Sequence, residues 1–230
     1  MHTILLSASN ICSCQLIHFF SGCMMIACKM HEISPPDATD FCFISASTYN
    51  KSQIIDMEQK ICALLAFNLH IITPHHFANI YLRAHHVSGN GTERTVCSIT
   101  YDDTMKYLVD YLLEIASLKY SFAKEPPSKV AAAAVYLARA TLGIRDASAE
   151  DTPVGDSKHN SKVFFSRTLK YYSGYGEMDL EDLVFDLHAA HVKSEDESLH
   201  SVYDKYSKKF FNMVALRVPV EEEVLYEAFN

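Results

Sequence analysis

The sequence predicts an all-α protein, and three observations carry that prediction. Seven glycines and seven prolines are few for 230 residues, and long stretches run without either. Apolar residues recur at the three- and four-residue spacing of a buried helix face. A content of 49% hydrophobic and 21% charged residues is enough to bury a real core, as one large helical domain or two of about 100 residues.

From Cys23 to Cys28 the run CMMIAC is apolar on every side, which predicts a helix buried all round and ending near Lys29. Pro35 and Pro36 stop it, and Pro36 can open a short helix through Phe43. Thr48 or Asn50 can cap the next helix, where Ile54, Met57, Ile61, Leu64 and Leu65 repeat at helical spacing to about Phe67. Glu58 breaks that pattern, because at 3.6 residues per turn it places a carboxylate inside the apolar stripe.

NLHIITPHH reads as an extended connector, with Thr73 and Pro74 starting a helix that ends between Arg83 and His86. SGNGTER is a predicted turn, followed by a helix outlined by Met105, Leu108, Val109, Leu112, Leu113 and Ile115. Pro126-Pro127-Ser128 then opens KVAAAAVYLARATLG, a strong helix former stopped by Gly143. Its four consecutive alanines allow close neighbours on every face, so it is expected at the centre of the second half. The polar stretch 145–162 is a predicted loop. Two helices follow, through VFFSRTLKYY and DLEDLVFDLHAAHV, with Asp179 capping the second. A last amphipathic segment, SLHSVYDKYSKKFFNMVAL, leads to an acidic tail with Glu221, Glu222 and Glu223.

Composition narrows the function. A net charge of −8 without any lysine- or arginine-rich cluster argues against nucleic acid, whose affinity rests on phosphate neutralisation, and favours a protein partner. The opening MHTILLSASNICSCQLIHFF lacks a basic start, and Gln15, His18 and several serines interrupt it before it reaches spanning length, so neither a signal peptide nor a membrane span is expected. The seven cysteines are odd in number and crowded before position 98; Cys12, Cys14, Cys23, Cys28, Cys42, Cys62 and Cys97 are read as reduced, buried, intracellular thiols. Twelve histidines raise the question of metal, but the closest sets (His188 with His191, His75 with His76, Cys12 with Cys14) have no zinc-site spacing. No nucleophile motif points to catalysis, so no enzymatic activity, cofactor or small-molecule substrate is expected.

Lys29 and Glu58 belong to a dense set of motifs. Ile26-Ala27-Cys28-Lys29, Glu32-Ile33, Pro35-Pro36, Thr48-Tyr49, Met57-Glu58, Leu65, Phe67 and Leu69 resemble the heart of a cyclin box, and PPSKVAAAAVYLA, TLKYYSGYGEMDLEDLVFDLH and KYSKKFFNMVAL resemble the second lobe of mitotic cyclins of the A and B types. The resemblance covers roughly residues 23–218 and implies two cyclin-box bundles in tandem, the first incomplete. It divides the chain into a non-family segment 1–22, a partial N-terminal box 23–73, a C-terminal cyclin domain 74–218 and an acidic tail 219–230. The substrate-docking patch of the first cyclin-box helix is not recognisable, and the chain has no tryptophan.

What the resemblance implies is a nuclear and cytoplasmic regulatory subunit that binds and activates a cyclin-dependent protein kinase in cell-cycle control at G2/M. Carried over residue by residue, it places Ile26, Lys29, Met30, Glu58, Cys62, Phe67 and Leu69 on the kinase-facing surface. The lysine and glutamate would bond backbone groups beside the kinase's regulatory helix, which explains a carboxylate in an apolar stripe. Met30 stands where many cyclins have an aromatic residue and His31 where many have an acid. Three other readings compete with this one: a truncated cyclin without kinase-activating ability, since the first box is incomplete; a cyclin-fold module in transcription, against which the mitotic-type motifs and the acidic charge count; and a helical enzyme, which no catalytic constellation supports. The R-x-x-L match at Arg139–Leu142 falls inside the predicted central helix and is read as chance.

Overall fold

The structure is a computed structural model that describes residues 13–89, 103–144, 164–195 and 200–229. The described residues are helical and form ten α-helices and three short 3-10 turns. They fall into two compact units, Met1–Ile71 and Ile72–Asn230. The predicted loop 145–162 and most of the predicted turn at 88–94 lie outside the described residues.

The first unit is built from α1 (Ser13–His31), α2 (Ala38–Ile44) and α3 (Lys51–Leu64). Helix α1 begins ten residues ahead of the boundary expected at 22/23 and runs unbroken into CMMIAC. That run is not buried all round: Cys23, Met25 and Ile26 face the core, whereas Met24 and Ala27 are exposed. Gly22 brings α1 close to α3, since a Cβ there would stand 2.9 Å from Ile61 Cδ1 and 3.0 Å from Met57 Cγ.

Helix α2 starts after Asp37, whose side chain accepts from the Ala38 N–H while Asp40 accepts from the Asp37 N–H, so Pro36 precedes the cap and does not open the helix. Asn50, one of the two expected caps, starts α3 by accepting from the Gln53 N–H at 2.9 Å, and Gln53 accepts in return from the Asn50 N–H. Helix α3 ends at Leu64 in a left-handed turn: the Phe67 N–H reaches Cys62 C=O at 2.9 Å and the Ala66 N–H reaches Ala63 C=O at 3.0 Å. Glycine usually takes this position, yet here Ala66 (φ 48°) and Phe67 (φ 57°) hold it.

The second unit is built round α6 (Pro127–Thr141), which packs on α4 (Pro74–Gly89), α5 (Asp103–Leu118), α7 (Arg167–Ser173) and α8 (Glu177–Lys193). Its alanine run is wholly buried, as the ring of neighbours expected from small side chains requires. Pro127 starts α6 and Gly143 (φ 67°) ends it, with the Ile144 N–H bonding Arg139 C=O at 2.9 Å. Asp179 serves α8 from its first turn, accepting from the Gly176 N–H at 2.7 Å, so Gly176 and not Asp179 is the capping residue.

The segment after α8 forms a short α9 (Ser201–Tyr206) and 3-10 turns at Lys209–Phe211 and Val214–Leu216. The expected acidic tail is instead a helix, α10 (Glu222–Phe229). Leu225 and Phe229 sit in the core of the second unit, and Phe229 stacks on Tyr136 of α6 with centroids 5.1 Å apart. Counting acidic residues hides this apolar face, because Glu221 to Glu223 lie at the start of the helix, where its dipole favours them.

Candidate functional site

Lys29 is in the last turn of α1, where a cation complements the negative end of the helix dipole. Glu58 is in the middle of α3, on the side facing α1. The two meet, with Lys29 Nζ donating to Glu58 Oε1 at 2.6 Å. The lysine side chain is 47% exposed and the glutamate 17%. An ammonium has three N–H donors and a carboxylate several acceptor positions, so one mutual bond leaves capacity on both groups. The pair therefore offers donors and an acceptor at one point on the surface of the first unit.

Beneath the pair, Cys23, Ile26, Ile61 and Cys62 form a small core, with Phe19, Met57, Leu65 and Leu69 packed against it. Burial of Cys23 raises its thiol pKa, which keeps it protonated and an apolar packing element. The family resemblance implies Ile26 and Cys62 on the partner-facing surface. They are 7% and 8% exposed and fill the α1–α3 interface, so most of each side chain packs within the chain itself. Helical periodicity puts them on the apolar face, but that face packs against a helix of the same chain.

Of the remaining expected residues, Met30 follows Lys29 and is exposed, and Phe67 projects from the left-handed turn at 73% exposure. Leu69 is half-buried against the Ile26 and Cys62 cluster. Lys29, Glu58, Met30 and Phe67 are thus presented outward, whereas Leu69 supports them from below. Ile33, Phe43 and Leu64 are also exposed and are absent from the set expected on sequence grounds. Ile33 lies within the Glu32-Ile33 motif, and that motif is the signal that could have found it.

A histidine pairing lies in the C-terminal unit, where His75 Nδ1 is 3.2 Å from Asp110 Oδ1. Burial pushes the Asp110 carboxyl above its ordinary range, opposed by His75 and Lys106. Among the described residues, no group of three or more His, Cys, Asp or Glu is placed to hold a metal ion, and no helix is long and apolar enough to cross a membrane.

Comparison with known families and proteins gives a consistent picture. The family model for "Cyclin, N-terminal domain" matches residues 3–70, and the model for "Cyclin, C-terminal domain" matches residues 72–219. The first match takes in residues 3–22, a segment whose motifs alone do not connect it to the family. The chain is 34% identical over 199 residues to Cyclin-B1-1 of Oryza sativa subsp. japonica, covering 86% of this chain and 38% of that protein. It is 30% identical over 222 residues to Cyclin-A3-1 of the same organism, covering 94% and 52%. To the G2/mitotic-specific cyclin-A of Hydra viridissima it is 27% identical over 202 residues, covering 87% and 41%. The chain spans about a third to a half of the length of these relatives.

Proposed function

Because the chain belongs to the cyclin family, we propose that it is the regulatory subunit of a cyclin-dependent protein kinase, acting in G2/M control in the nucleus and cytoplasm. The observation that carries this reading is the Lys29–Glu58 pair, bridging α1 and α3 at 2.6 Å beside exposed Met30. A surface ion pair adds little to stability, so a carboxylate kept inside an apolar helix stripe calls for a reason beyond folding. Binding backbone groups of a partner supplies one, because charge-assisted bonds at a desolvated interface are stronger than neutral ones.

Activation on this reading is allosteric and makes no bond within this chain. Docking biases the kinase's regulatory helix toward the position where its glutamate pairs with the catalytic lysine, and the complex favours that state because it binds it more tightly. Met30 and Phe67 supply apolar contact around the charged pair. The experiment is co-purification of the intact chain with cyclin-dependent kinases, with histone phosphorylation as the readout. The reading predicts capture and activation that Lys29→Ala and Glu58→Ala each reduce. Failure of the intact chain to bind any such kinase would refute it.

A further inference from the structure

The net charge of −8 conceals a local excess of the opposite sign. Lys205, Lys208, Lys209 and Arg217 fall in a stretch with no acid between Asp204 and Glu221. Lys205 is committed, donating to Glu114 Oε1 at 2.6 Å and lying over the Tyr206 and Phe211 rings. Lys208, Lys209 and Arg217 are exposed and have no ion-pair partner among the described residues. Between them Phe210, Met213 and Leu216 are exposed as well, Phe210 at 76%, and so is Val218 just after Arg217.

The backbone that carries these side chains is fixed from below. Val214 and Ala215 are buried, and the Phe211 ring packs on Tyr107 and Tyr206 at 5.5 and 4.8 Å. Asn212 (φ 53°) and Met213 (φ 52°) hold a left-handed turn closed by the Met213 N–H on Lys208 C=O at 3.2 Å. Asn212 Nδ2 also donates to Thr104 Oγ1 at 3.2 Å. Such a preorganised platform loses little entropy when a partner docks.

We propose that residues 208–218 are a docking surface for a short acidic peptide segment with apolar side chains, contributed by another protein. The three unpaired cations call for anionic groups, and the apolar side chains between them call for an apolar anchor in the same ligand. A nucleic acid or an anionic membrane satisfies the charge, but each brings an extended negative field that a chain of net charge −8 repels. An amphipathic helix long enough to lie in a membrane interface is also lacking here, where two 3-10 turns flank a left-handed break. A short peptide meets the local patch without the long-range penalty.

The test is fluorescence anisotropy of the intact chain with a labelled peptide of about ten residues that alternates glutamate with leucine and phenylalanine. Saturable binding is expected, weakened about tenfold or more by the combined change Lys208→Glu, Lys209→Glu and Arg217→Glu, and several-fold by Phe210→Ser. Matching circular dichroism and melting of each variant with the parent chain would show that the fold is intact. Three results would overturn the proposal: no binding at about 1 mM peptide, binding indifferent to either variant, or tighter binding to heparin or phosphatidylserine vesicles than to the peptide.

Discussion

Glu58 is legible in the sequence alone, because a carboxylate within an apolar stripe is a local conflict that folding does not reward. Its exposure of 17% and its bond to Lys29 show how the conflict is resolved: the carboxylate sits at the edge of the α1–α3 interface, neutralised but not sealed in. Glu58→Ala is therefore expected to change unfolding free energy by less than about 1 kcal/mol, measurable by denaturant titration. Ile26 and Cys62 are less legible. A repeat spacing identifies an apolar face without saying which neighbour covers it, and here that neighbour is intramolecular.

His191 makes a second residue-scale prediction. It is 3% exposed, its two ring nitrogens have no hydrogen-bond partner among the described residues, and the Tyr111 ring packs edge-on at 5.5 Å. Burial, with a smaller contribution from His188, lowers its pKa from 6.5 to about 4. Between those values the unfolded chain takes up a proton that the folded chain refuses, so stability is lost as pH falls from 6.5 toward 4. Each unit of that depression is worth up to about 1.4 kcal/mol. Denaturant midpoints at about pH 7 and pH 5 should show the loss, and a His191→Leu variant should show a shallower dependence. An equal slope in both chains would exclude His191 as its source.

At the scale of elements, the closeness of α1 to α3 rests on Gly22. Gly22→Ala gains helix propensity but pushes a methyl against Ile61 and Met57, and overpacking of this kind costs about 1–3 kcal/mol. A lowered melting temperature of the first unit is expected; an increase would mean that the flexible Ile61 and Met57 ends simply move aside. The opposite outcome is expected at the end of α3. Ala66 occupies a left-handed cap that a glycine adopts freely, so Ala66→Gly should stabilise by about 1 kcal/mol, read as a higher denaturant midpoint.

Neither feature can be read from the sequence. Alanine gives no sign of positive φ, and a lone glycine in a helix does not reveal what it touches. The helices themselves are legible wherever apolar spacing runs for three turns, as in α3, α5 and α6. The last helix escapes sequence reasoning because its charged start masks Leu225 and Phe229, which become apolar anchors only once α6 and α8 are in place to receive them.

On the scale of the whole molecule, the two units differ in what holds them. Among the described residues, the second has one continuous core organised round the alanines of α6, whereas the first has two small clusters, one centred on Met25, Phe41 and Ile54 and one on Ile26 and Ile61. Since stability follows buried apolar area, amide hydrogen exchange should be faster in α1 to α3 than in α5, α6 and α8. Uniform protection across both units would contradict that ranking.

The same asymmetry bears on function, because the proposed kinase-facing pair sits on the unit with the smaller cores and a bound kinase would stabilise it by mass action. The most direct measurement is titration calorimetry of the purified chain against a cyclin-dependent kinase, with Lys29→Ala, Glu58→Ala and the double variant as a cycle. The expected result is saturable binding that each single change weakens about tenfold or more, with the double change costing less than the sum because the two groups act as a unit. Binding unaffected by all three variants, or no binding by the intact chain, would contradict it.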